Sequence, residues 1–179
     1  MKTPAEEQVQ IVDRQNRPTG VVLRSVMRRQ ALTHRASYIL VFNAAGELFL
    51  QKRTLTKDIY PGYWDVAAGG VVLAGESYEA SAKRELAEEL GITGVPLTFL
   101  FDHYYEGAKN RVWGRIFECR HEGPFILQAE EVAYGRFMPV KDALNLSLEE
   151  PFTPDGVEIL KKIQRNSSDQ QTFNQTDER

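Results

Sequence analysis

Three glutamates, Glu85, Glu88 and Glu89, fall within a turn and a half of a stretch that reads as helix. Residues 78–90 hold no Gly or Pro and are rich in Ala, Leu, Glu and Lys, which form helices readily. Ser77 can cap the start of this helix and Gly91 can end it. At about 100° per residue, the three glutamates gather on one side, because spacings of three and four bring side chains together. Ala82, Leu86 and Leu90 make a neighbouring apolar stripe that would face a core. Like charges packed this way repel, which a divalent cation would reverse. Hard ions such as Mg²⁺ take carboxylate and carbonyl oxygens, and keep waters and substrate phosphates as further ligands. The competing reading is a solvated acidic helix face.

The wider spacing decides between them. It runs Gly70, five residues, Glu76, seven residues, Arg84, Glu85, an aliphatic, one residue, Glu88, Glu89, one residue, Gly91 and an aliphatic. At average residue frequencies, chance places this pattern in such a chain roughly once in ten million or more rarely. It resembles the Nudix box, with no departure at any fixed position. The resemblance implies an α/β fold of the α/β/α sandwich type, a mixed sheet flanked by helices. It also implies an enzyme that cleaves diphosphate linkages with Mg²⁺ or Mn²⁺. By position in the motif, Glu85, Glu88 and Glu89 would be the metal carboxylates, with the Gly69 carbonyl as a further ligand. Glu76 and Arg84 would pair with each other or orient those glutamates, and such supporting groups tune metal affinity.

Hydrolysis of a phosphoanhydride also needs a general base near the metal. Glu85 is the first candidate, because it precedes the Glu88–Glu89 pair on the same face. The second is Glu131, or its neighbour Glu130, in the loop QAEEV, since Nudix enzymes often supply a ligand or base from a comparable loop.

The remaining elements must bring these groups together. Runs at 9–12 and 21–23 flank the turn-rich DRQNRPTG and predict an N-terminal hairpin. A polar link with three arginines follows at 24–32, expected as a solvated face. Residues 38–42 and 48–52 read as strands, and 53–64 as a loop punctuated by Pro61-Gly62. A strand at 65–68 delivers the chain to Gly69-Gly70, where paired glycines permit close approach to a ligand. Strands follow at 97–104, 112–119 and 132–139, then a helical turn at 140–145 and a helix at 152–165. The division expected is a hairpin extension at 1–33, a catalytic domain at 34–165 and a disordered polar tail at 166–179.

Length and composition bound the rest. The 179 residues suit one domain with appendages, and a net charge of −3 gives no sign of nucleic-acid binding. No apolar run approaches the length of a membrane span. A single cysteine, Cys119, fits the reducing cytoplasm and reads as packing. The Nudix resemblance implies a small-molecule diphosphate as partner, the composition adds no expectation of nucleic acid or membrane, and the hairpin leaves a homodimer open.

HRASYILVFN, KRTLTKDIYPGYW and the box together also resemble isopentenyl-diphosphate isomerase, over residues 11–92. That resemblance implies that Arg53 and Lys57 contact a substrate diphosphate, a role suited to loop cations. The isomerase's proton-transfer residues are missing, however. Gly69 and Val71 stand where it has Cys and His, the later strand NRVWGRIF holds no carboxylate, and His34 lacks its His partner. Phosphate-handling positions survive and carbon-chemistry positions do not, which favours hydrolysis of an organic diphosphate, such as a nucleoside diphosphate derivative. The alternatives are an isomerase-like enzyme or a non-catalytic diphosphate-binding module. Tyr60, Tyr63, Trp64, Tyr104, Tyr105 and Trp113 are candidates to stack on a base, although such aromatics more often fill a core.

Overall fold

Alternate residues of the stretch His34–Phe42 face two different cores, the period-2 pattern of a strand covered on both sides. Tyr38, Leu40 and Phe42 point to one core, and Ile39 and Val41 to the other. The structure, a computed structural model, describes residues 4–176, with side chains through Asn166. In chain order its elements are β1 (Gln8–Val12), β2 (Pro18–Leu23), α1 (Arg24–Gln30), β3 (His34–Phe42), β4 (Leu48–Arg53), β5 (Trp64–Asp65) and β6 (Ala68–Val71), then α2 (Tyr78–Leu90), β7 (Thr98–Glu106), β8 (Arg111–Arg120), β9 (Val132–Met138), α3 (Val140–Leu146) and α4 (Pro154–Thr176).

β3 pairs in parallel with β8 from His34↔Val112 to Phe42↔Arg120, and antiparallel with β6 on its other edge. β7 adds antiparallel to β8. β4 meets β3 at Phe42↔Leu48 and pairs with β5 and β9, forming a second wing. α2 packs through Ala82, Leu86 and Leu90 on the core that holds Ile39 and Val41. Ile159 and Leu160 of α4 and Ala143 of α3 close the opposite core around Trp64, Leu40 and Ile116. Helices on both faces of a mixed sheet make the expected sandwich.

α2 has the ends its sequence requires. The Ser77 hydroxyl accepts from the Ala80 N–H at 3.1 Å, and Gly91 takes the left-handed conformation at φ 69°. Ser77→Ala should cost about 1 kcal/mol, measured by denaturant unfolding, with an unchanged stability counting against the cap.

Two expected elements differ. The strand at 65–68 is interrupted: Trp64–Asp65 pairs with β4, whereas Ala68–Val71 pairs with β3. The chain changes partner there because Asp65 accepts from the Val66 N–H at 2.9 Å and Gln51 donates to the Ala67 carbonyl at 2.9 Å. The glycines are thus inside β6 rather than after a strand. At the far end, the helical backbone of α4 continues past 165 to Thr176, where a disordered tail over 166–179 was expected, with 177–179 outside the described residues.

The hairpin is built into the domain. β1 bonds β3 at Ile11↔His34, Val9 bridges Leu73, and Val9, Met27 and Val71 share a small core. This docking places α1 beside the site.

Candidate active site

Gly69 and Gly70 are the points where β6 meets the acidic face of α2. The buried Glu89 carboxylate accepts from the Gly69 N–H at 3.1 Å and from Gln51 Nε2 at 3.1 Å. The Glu85 carboxylate lies over Gly70, where a Cβ would come within 2.4 Å of Oε1. Glu88 is more open, with 53% of its side chain exposed.

Arg84 organises this face. It donates to Glu76 through Nε at 2.9 Å and Nη2 at 3.0 Å, and Glu76 also accepts from the Leu73 N–H at 3.1 Å. Its Nη1 reaches Glu85 at 2.7 Å and Glu88 at 3.2 Å. Among the described residues, no three His, Cys, Asp or Glu side chains are grouped as they would be around a metal ion. Arg84 gives a physical reason, because its guanidinium engages Glu85 and Glu88 while Glu89 is held separately by the Gly69 N–H and Gln51. The donor set still suits a hard cation, since every candidate ligand atom is oxygen and Gly70 leaves room for the Glu85 carboxylate.

The carboxylates are held in an environment that penalises their charge. Burial pushes Glu89 up to about 7, against the attraction of the Lys57 ammonium and with Glu85 adding to the rise. Glu85 is raised by burial too, opposed by Arg84 and reinforced by Glu88. Lys57 is lowered by burial and by Arg53, while Glu89 and Asp65 pull it back. A cation among these oxygens would relieve the repulsion between Glu85 and Glu89.

A cavity of about 300 Å³ opens beside the two glycines, lined also by the 56–60 loop, Glu130, Glu131, Arg24 and Arg28. Lys57 forms an ion pair with Glu131 at its edge. Arg53 lines the cavity as well, but its guanidinium is engaged by Asp65 at 2.9 Å and by the Ile59 and Tyr60 carbonyls at 3.0 and 3.2 Å. In this state it shapes the loop, including Tyr60 with its positive φ of 53°. Thr54 donates to the Glu130 carbonyl at 2.7 Å, which ties this loop to the one carrying Glu131.

Of the six aromatic candidates for stacking, Tyr60 lines the cavity. Trp64 belongs to the core and donates Nε1 to Glu150 at 2.6 Å. His34 is buried, with Nδ1 3.0 Å from the Leu32 carbonyl, and burial together with the Arg28 charge pushes it down to about 3. It is neutral at physiological pH and serves as a hydrogen-bonding residue. Burial raises the Cys119 thiol to about 11, as befits packing rather than reactivity.

The expectation that the arginines of 24–32 form a solvated face does not hold for two of them. Arg24 and Arg28 line the cavity, while Arg29 is exposed. Tyr38 and Asp155 were also not foreseen there, and they join across the cavity wall by a 2.6 Å hydrogen bond. A tyrosine in a strand and an aspartate in a helix's first turn carry no local mark of such a pairing.

The NUDIX domain matches residues 32–163, from just before β3 into α4. The chain belongs to the Nudix family. A protein of Pseudomonas aeruginosa described as an uncharacterized Nudix hydrolase is 45% identical over 150 residues, covering 84% of this chain and 89% of that one. The crystal structure of DR0079 from Deinococcus radiodurans superposes with a TM-score of 0.77 at 22% identity, over 87% of this chain and 98% of that one. The NUDIX domain of Shewanella oneidensis NrtR, crystallised with ADP ribose, gives a TM-score of 0.58 at 16% identity, over 74% and 86% of the two chains. Both structural likenesses show the fold. As a Nudix hydrolase, this chain carries the family box on β6 and α2, and no helix among its described residues is long and apolar enough to cross a membrane.

Proposed function

We propose that this Nudix hydrolase uses a divalent metal ion, Mg²⁺ or Mn²⁺, to cleave the diphosphate linkage of a nucleoside diphosphate derivative or a related organic diphosphate, by attack of water at phosphorus. The observation that carries the reading is the buried Glu89 carboxylate on the Gly69 N–H, with Glu85 packed against Gly70, the two glycines being the part of the box that lines the cavity. Glu85, Glu88, Glu89 and the Gly69 carbonyl would hold the ion. When bound, it would neutralise phosphate charge and make a coordinated water more acidic.

The chain's own residues supply the rest. Arg84, fixed by Glu76, keeps Glu85 and Glu88 on one side of α2. Lys57 presents a cation at the cavity edge for a phosphate oxygen, and releases Glu131 when it does so. Arg53 holds the loop that positions Lys57, and its charge favours phosphate in the same cavity. Glu85 is the leading general base and Glu131 the second. Glu85→Gln should therefore cost more in kcat than Glu131→Gln, and the reverse order would move the base to the loop. ADP ribose, bound by the Shewanella NUDIX domain, belongs to the substrate class proposed here.

The test is a screen of nucleoside diphosphate sugars, dinucleotides, coenzyme A and oxidised nucleotides in ¹⁸O-enriched water, with Mg²⁺ or with chelator. Metal-dependent cleavage with label in a phosphate product is expected. Label-free products, or equal rates in chelator, would defeat the proposal.

The shifted Glu89 gives a further expectation. Its pKa in the fold lies above the ordinary 4.5, so ionisation destabilises the metal-free protein as pH rises from the ordinary value through about 7. A metal ion binds the ionised form and stabilises only the folded state. The rise in Tm on adding Mg²⁺ should thus be larger at about pH 8 than at about pH 6, as read by thermal denaturation against a chelator control. Equal shifts would contradict metal binding at Glu89.

A further inference from the structure

Two cationic side chains in the cavity have no place in the chemistry described so far. Arg24 and Arg28 are one helical turn apart on α1, ahead of the span matched by the NUDIX domain, and both line the cavity. The Nε of each is buried and has no hydrogen-bond partner among the described residues. One terminal nitrogen of Arg24 is bound by Glu7 at 2.7 Å. Among the described residues, Arg28 bonds only the neutral amide oxygen of Asn110, at 3.3 Å, and no carboxylate lies within ion-pair distance of it.

This is an unusual state for a guanidinium. A buried charge is costly unless it is paired, and a donor left unmade in the interior adds to that cost. Burial and the adjacent Arg24 lower Arg28 to about 10, and the same two arginines help to keep His34 neutral. The other cavity cations differ, because Arg53 is matched by Asp65 and Lys57 by Glu131. Among the described cavity cations Arg28 is therefore the one without an ion pair, Asp58 at the cavity wall favouring its charge without forming one. Two guanidinium forks side by side fit the oxygens of a phosphate group.

We infer that Arg24 and Arg28 form an oxyanion subsite, carried by the N-terminal segment, that binds a phosphate group of the substrate. The inference rests on the diphosphate-hydrolase reading for what that phosphate belongs to. It is either the outer phosphate of the diphosphate itself or a separate phosphate on the organic part. On this view the hairpin and α1 are substrate-recognition elements added to the family domain, rather than a structural appendage.

Binding to metal-free protein tests the subsite apart from catalysis. Calorimetry in chelator would compare inorganic pyrophosphate, coenzyme A and dephospho-coenzyme A, the last two differing by one phosphate. Wild-type protein should bind pyrophosphate, Arg28→Gln should weaken that binding at least about tenfold, and Arg28→Lys should restore part of it. Arg24→Gln should weaken it as well, which keeps the test alive if Arg28→Gln does not fold. Preference for coenzyme A over its dephospho form, erased by Arg28→Gln, would assign the subsite to a separate phosphate. Equal losses for both would assign it to the diphosphate. Wild-type protein that binds none of the probes, or folded variants that bind them as wild type does, would overturn the inference. Failure of the hydrolase reading would show separately, as absence of Mg²⁺-dependent cleavage by the unaltered enzyme.

Discussion

Glu89→Gln is expected to lower turnover at least about a hundredfold while leaving the fold intact, since even groups that only support a metal ligand commonly cost ten- to a hundredfold. The replacement keeps the shape of the side chain and an oxygen that can accept from Gly69 N–H and Gln51 Nε2. It removes the charge. In the metal-free fold that charge is already disfavoured, because burial raises the Glu89 carboxyl and leaves it partly protonated near neutral pH. The neutral variant should therefore be as stable as wild type, or more so, in chelator at pH above the Glu89 value. Added Mg²⁺ should no longer raise its Tm. Loss of activity with retained melting temperature separates a metal role from a structural one, and undiminished turnover would show that Glu89 serves only the fold.

Gly69→Ala should destabilise the protein by about 3 kcal/mol or more, from backbone strain together with overpacking. Gly69 has φ 149°, and a Cβ there would lie 2.0 Å from the Ser37 carbonyl oxygen and 3.2 Å from the Tyr38 Cα. Both obstacles are backbone of β3, the central strand, so neither can turn aside as a flexible side chain would. Relief would require β6 to move away from β3, and with it the N–H that holds Glu89. For a chain of this size the loss corresponds to a fall in Tm on the order of 10 °C, accompanied by loss of activity in the molecules that remain folded. A variant that melts with wild type would mean that the β6–β3 contact is looser than described.

These two positions also show what the sequence could reveal. The spacing of Gly70, Glu76, Arg84, Glu85, Glu88, Glu89 and Gly91 is local, so helix α2, its caps and its acidic face follow from short-range rules. The strand at 38–42 was legible as a short apolar run, whereas the division of its side chains between two cores was not. The rest depends on distant partners. Nothing near Arg24 or Arg28 marks them as cavity residues, because only the docking of β1 on β3 and the contact with Asn110 place them there. At the break between β5 and β6 the Ala67 carbonyl is held by Gln51, a strand away. Arg53 was read by resemblance as a phosphate ligand, and its present engagement by Asp65 and two loop carbonyls could not be inferred from spacing. The drawing of Glu85 and Glu88 toward Arg84 is likewise a matter of rotamers, not of sequence.

The most direct measurement is a Mn²⁺ titration followed by electron paramagnetic resonance, with wild-type protein and with Glu89→Gln. If the glutamates of α2 and the Gly69 carbonyl form a cation site, wild type will remove Mn²⁺ from solution saturably and the variant will not. Equal binding by both proteins, or none by wild type, would contradict the account.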